Sequence, residues 1–110
     1  MQEANQKMHK NGAFFNEKNS SIEVRGSIHF DNVMAVLAEG NALMKPLKTI
    51  KIDLKGLDQF DSSALALLTA WVAEAKKQHK VVQFLNIPKF MQAILKVCSL
   101  EDVLPIVWES

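Results

Sequence analysis

Residues 60–68 read FDSSALALL, and there Asp61, Ser62 and Ser63 bring a carboxylate and two hydroxyls together in one short stretch. A nucleophilic serine needs a base and a carboxylate that orients it, and His9, His29 and His79 offer imidazoles elsewhere in the chain. The stretch has no GxSxG elbow to lift a serine out of a strand-to-helix turn. Asp61, adjacent to its own serine, is also badly placed to orient a histidine. Asp53, Asp58 and Asp61 raise the alternative of oxygen ligation to a hard cation. Asp53 alternates away from the loop and no histidine joins the three, so a solvated loop is the better reading and no metal is expected. Gly12, Gly26, Gly40 and Gly56 match neither GxGxxG nor GxxxxGK[ST], so no phosphate-cradling loop and no cofactor are expected.

Charge and length narrow the classes further. The 110 residues are 48% hydrophobic and 23% charged, which suits a single domain with one core. Thirteen basic against twelve acidic residues leave a formal charge of +1 without a long run of either sign, so neither nucleic acid nor an anionic membrane is an expected partner. Cys98 is the sole cysteine, which excludes an internal disulfide framework and suits a reducing cytoplasm; it is expected as a small buried hydrophobe. Residues 1–12, MQEANQKMHKNG, are polar and lack the apolar core of a signal peptide, and are expected to form a flexible arm before a single domain over 13–110. No apolar run approaches the roughly 20 residues that cross a bilayer, so direct membrane insertion is not expected.

The elements that must position the seam follow from periodicity. SIEVRGSI (21–28) alternates, with Ile22, Val24 and Ile28 facing in and Ser21, Glu23, Arg25 and Ser27 facing water. TIKIDL (49–54) repeats that logic, VVQFLN (81–86) is a third strand, and a weak strand precedes them near Ala13–Asn16. Between them lies a helix capped by Asp31, with Val33, Val36, Leu37, Gly40, Leu43 and Met44 at helical spacing and Pro46 closing it. A second helix starts at the two serines, carries Leu65, Leu68, Val72 and Ala75 as a stripe widened by Leu67 and Trp71, and ends in lysines that suit its dipole. Pro88 sits in the first turn of a third helix bearing Phe90, Met91, Ile94, Leu95, Val97 and Cys98, expected to pack on the core, as are Trp71 and Trp108. Alternation of strand and helix calls for a largely parallel sheet. Strands with one polar face place the helices on one side only, giving a half-covered α/β sandwich.

In such a fold the seam lies at the C-terminal edge of a strand, where helix N-termini gather and ligands or partners are met. Asp61 or Ser62 caps the second helix by accepting from a backbone N–H. One cap leaves the second hydroxyl and Phe60 unexplained, so Phe60, Asp61, Ser62 and Ser63 are read as a partner-binding site. His29, Phe30 and Asp31 in one neighbouring turn, and Asn86 and Pro88 in another, form its rim. His29 and His79 are otherwise expected as surface or capping residues.

The stretch IDLKGLDQFDSSALALL resembles the STAS domain, known from anti-sigma-factor antagonists and from the cytoplasmic tails of sulfate transporters. The resemblance runs from about Phe14 to Trp108. Within that family the ALALL at 64–68, the AKKQ at 75–78 and the VLP at 103–105 are most similar to the small STAS subunit of the Mla phospholipid-transport ABC systems of Gram-negative bacteria, which maintain outer-membrane lipid asymmetry. That resemblance implies a non-catalytic, cytoplasmic subunit that docks on the ATPase subunit of a permease complex, supports its assembly and activity, and lies at the inner membrane only through that complex. Ser62 matches the contact hydroxyl. In the antagonists the aligned serine is phosphorylated by a partner kinase, so the alternative implied is an anti-sigma-factor antagonist switched at Ser62. Ala64 departs from the glycine usual in the antagonists, and Ser62 from the threonine common in the Mla-type domains.

Overall fold

A computed structural model describes residues 11–100 and 104–105 of the chain. Strands β1 (Gly12–Asn16) and β2 (Ser21–Ile28) form an antiparallel hairpin, and α1 (Val33–Met44) leads to β3 (Thr49–Asp53) and β4 (Leu57–Phe60). Helix α2 (Ser62–Lys77), β5 (Val81–Leu85) and α3 (Lys89–Val97) complete the described elements. The sheet runs β1-β2-β3-β5, with β2 parallel to β3, β3 parallel to β5, and β4 parallel to the far half of β2. Most of the arm expected over 1–12 falls on residues 1–10, outside the described residues, as do His9, Trp108 and the tail around Leu104 and Pro105; strand β1 begins at Gly12.

Alternation sets the two faces. Ile22, Val24, Ile28, Ile50, Ile52, Val82 and Phe84 are buried on one face and join a single core with Val36, Met44, Leu68, Trp71, Met91 and Leu95 from the three helices. Arg25 and Lys51 are exposed on the other, and Glu23, Asp53 and Gln83 half-exposed, so the helices cover one side. Ser21 departs from the alternation: it starts β2 opposite Asn16, is 1% exposed, and its hydroxyl has no partner among the described residues.

Several local expectations are corrected. Residues 57–60, expected as loop, form β4, because β2 offers an unpaired edge just where its register shifts between Gly26 and Ser27; pairing overrides a segment with one buried residue, Leu57. Asn32, not Asp31, stands at the N-cap of α1, and it does not cap the helix with its side chain. Its Oδ1 accepts from His29 N at 2.8 Å and its Nδ2 donates to the Ser27 carbonyl at 2.8 Å, which folds the β2–α1 turn on itself. Pro88 is the N-cap of α3 rather than part of its first turn. Met91 and Leu95 alone are buried on α3, because the helix ends at Val97 and lays only that narrow stripe on the core. Phe90 and Val97 are therefore 70% and 85% exposed, and Cys98, one residue past the helix, is exposed instead of buried. Leu100 and Leu104 fill that end of the core.

Candidate functional site

The β2–α1 turn and the start of α2 meet at Asp61, an N-cap in extended conformation (φ −114°, ψ −170°). Its Oδ1 accepts from Ser63 N at 2.8 Å and also from the Ser63 hydroxyl, and its Oδ2 accepts from Phe30 N at 3.0 Å. Its own N–H donates to the Ile28 carbonyl at 3.1 Å. One side chain thus caps α2 and pins the neighbouring turn. The Ser63 hydroxyl, then the N–H groups of Ser63 and Phe30, hold the Asp61 carboxyl below the usual aspartate range. His29 Nδ1 lies 3.8 Å from Asp61 Oδ2, too far for a hydrogen bond.

This geometry divides the two hydroxyls. Ser63 is half buried and engaged with Asp61, whereas Ser62 is exposed and its hydroxyl has no hydrogen-bond partner among the described residues. A cap accounts for one serine and leaves the other facing water.

Two hollows flank the pair. One, of about 440 Å³, runs between α1 and α2 and is lined by Phe30, Met34 and Leu37 on one wall and Ser62, Ala66 and Ala70 on the other. Phe30 is 84% exposed and Met34 71%, and together they form an apolar lip beside the polar groups of the seam. The second, of about 410 Å³, is lined by His29, Asp58, Gln59, Phe60, Pro88 and Phe90. Phe60 is half buried against the core and meets the Phe90 ring at 6.0 Å, so the free aromatic at the seam is Phe30. Asp31 and Asn86 are exposed and line neither hollow; Asn86, in a left-handed conformation (φ 54°), donates to Asp53 Oδ1 at 3.0 Å. Asp53 also accepts from Lys55 N, so the carboxyls of Asp53 and Asp61 are each engaged by backbone and side-chain donors of their own. A wider polar trough crosses the uncovered sheet face, where Arg25 pairs with Glu23 at 2.8 Å and lies over the Phe14 ring.

Met34, Ala66, Ala70 and Phe90 border the two hollows without belonging to the seam that residue type and spacing mark out. Met34 carries a legible signal, since it lies off the stripe that α1 buries. Ala66 and Ala70 carry none, because small residues on a helix look alike on either face.

The family described as "Mlab, STAS domain" matches residues 14–107, and the chain belongs to it. A chain of the Acinetobacter MlaFEDB complex in its ATP-bound Vtrans2 conformation is similar in structure, with a TM-score of 0.73 and 29% identity over 86% of this chain and 98% of that one. The anti-sigma factor antagonist SpoIIAA in its unphosphorylated form shares the fold, with a TM-score of 0.63 and 18% identity over 81% of this chain and 79% of that one. No curated protein sequence matches the chain significantly. The mixed five-stranded sheet with three helices on one face is accordingly the STAS architecture.

Proposed function

We propose that this protein is a non-catalytic subunit of an ABC phospholipid transporter that docks on the ATPase subunit, MlaF-like in kind, through the entrance of α2. The observation that carries the reading is the exposed hydroxyl of Ser62, without a hydrogen-bond partner among the described residues, beside the apolar lip of Phe30 and Met34. An aromatic and a thioether that lose water together, with a polar group beside them to fix register, are what a small protein interface requires. Similarity to a chain of the MlaFEDB complex over 98% of that chain's length supports the choice of partner. Among the described residues no helix is long and apolar enough to cross a membrane, which suits attachment to the inner membrane through the complex.

The site is poorly made for catalysis. A carboxylate whose charge is already held by three donors is a weak base, and both oxygens of Asp61 are occupied. Ser62→Glu lowers affinity for the ATPase subunit by at least tenfold with the melting temperature of the domain unchanged, and a bulky charged residue at Ser63 lowers both, because it also removes the hydroxyl that Asp61 accepts from, as read by calorimetric titration and thermal melts. Full affinity in both variants removes the seam from the mechanism.

The exposure of Ser62 also fits the second reading, a phospho-switched antagonist of an anti-sigma factor. Affinity capture of the native partner, followed by phosphate analysis of Ser62, separates the two: an ABC ATPase and an unmodified serine favour the first, a kinase-like partner and phosphoserine the second.

A further inference from the structure

We infer that the second hollow, beside the α2 entrance, takes a guanidinium side chain from the protein that docks there; the inference rests on the docking reading and gives its contact a specific chemistry. The Phe60 and Phe90 rings stand 6.0 Å apart, tilted by 45°, and Phe90 keeps 70% of its surface open although it belongs to a helix with a buried stripe. Asp58 and Gln59, both exposed, line the same hollow, and they bring a carboxylate and an amide to its border. Among the described residues that line it there is no lysine or arginine; His29 is the other ionisable side chain in the lining, with its Nδ1 3.8 Å from Asp61 Oδ2, and Asp58 also borders the trough that holds Arg25 and Lys55.

Ring faces attract a cation through their quadrupole, and a carboxylate pairs with the planar fork of a guanidinium through two parallel hydrogen bonds. An arginine uses both features at once, lying flat on a ring while its edge meets Asp58, whereas a lysine presents one point of charge. The first turn of α3 pulls the other way, since a helix N-terminus favours anions. That nine-residue helix offers about half a unit of positive charge, less than the full charge of Asp58 that an anion would have to meet.

Two measurements test the inference separately from the docking itself. In the first, N-acetyl-argininamide is titrated into the isotope-labelled full chain, with N-acetyl-lysinamide and N-acetyl-leucinamide as comparisons, and amide shifts are followed at Asp58, Gln59, Phe60 and Phe90. Saturable shifts with the arginine compound alone, abolished in Asp58→Asn, are expected; no shifts, or equal shifts with all three, overturn the inference. In the second, affinity for the purified ABC ATPase subunit is compared among wild type, Asp58→Asn, Phe90→Ala and Ser62→Glu. Asp58→Asn lowers it about tenfold, the range for a hydrogen-bonded charge, and Phe90→Ala about threefold, the range for an exposed cation–π contact. Loss in Ser62→Glu with full affinity in Asp58→Asn overturns the guanidinium site and leaves the docking standing, while full affinity in every variant overturns both.

Discussion

At the scale of single residues, Asp61 decides how the seam is used. By accepting from Ser63 and from Phe30 N, it fixes the α2 cap and the β2–α1 turn in one arrangement, and it leaves Ser62 outward. The sequence made the seam legible through residue type, because a carboxylate followed by two serines before an apolar helix marks a capped start. Which hydroxyl stays free was not legible: it depends on the cap residue, and either Asp61 or Ser62 satisfies the same pattern. How far Phe60 stands out from the core was not legible for a related reason, since an aromatic just ahead of a helix looks exposed until the strand it ends is known; it is half buried and still lines the hollow beside the seam. The cap also sets a pH dependence. The native Asp61 carboxyl lies below its ordinary value of 3.8, so its contribution to stability is complete above that value and is lost as pH falls through the native one. Glu23, lowered by Asn16 and then Arg25, acts in the same direction. Urea midpoints measured from pH 6 to pH 3 fall for the wild type. Asp61→Asn, which keeps a capping oxygen but removes the titration, shows a shallower fall.

At the scale of elements, the groove between α1 and α2 lies on the N-terminal side of the one place where Gly40 and Trp71 bring the two helices close together. Gly40 of α1 is buried against the Trp71 indole of α2, whose Nε1 donates toward the Leu37 carbonyl at 3.4 Å. A methyl group on Gly40 overlaps that ring, with the indole nitrogen only 2.6 Å from the added carbon. Trp71 is 0% exposed and cannot swing into solvent. Gly40→Ala therefore destabilises the domain by about 1–3 kcal/mol despite the better helix propensity of alanine, and a denaturant titration reads the loss. Widening the helices at this contact also alters the groove at their mouths, so the same variant weakens partner binding. Strands β2, β3 and β5 were legible because apolar and polar residues alternate in them. Strand β4 was not, since LDQF buries one side chain and owes its state to the edge of β2. The end of α3 was illegible too: the apolar residues in KFMQAILKVCSL span a broad arc, and only packing decides that Met91 and Leu95 go under while Phe90 and Val97 stay out.

At the scale of the whole molecule, one layer of helices on a five-stranded sheet creates two unlike surfaces. The uncovered sheet face is polar, with Arg25 paired to Glu23 and Lys51 exposed. The helix N-terminal end instead combines exposed Phe30, Met34 and Phe90 with the Ser62 hydroxyl, which has no hydrogen-bond partner among the described residues, so burial there releases more water from apolar surface for each polar group displaced. The docking proposed above uses the helix N-terminal end and leaves the uncovered sheet face free. Amide hydrogen exchange of the full chain, measured with and without the purified ATPase subunit, reads this directly. New protection is expected at Phe30–Met34 and at Ser62–Ala66, with exchange at Lys51 and Gln83 unchanged. Protection confined to the uncovered sheet face, with the α2 entrance exchanging as in the free protein, contradicts the docking site.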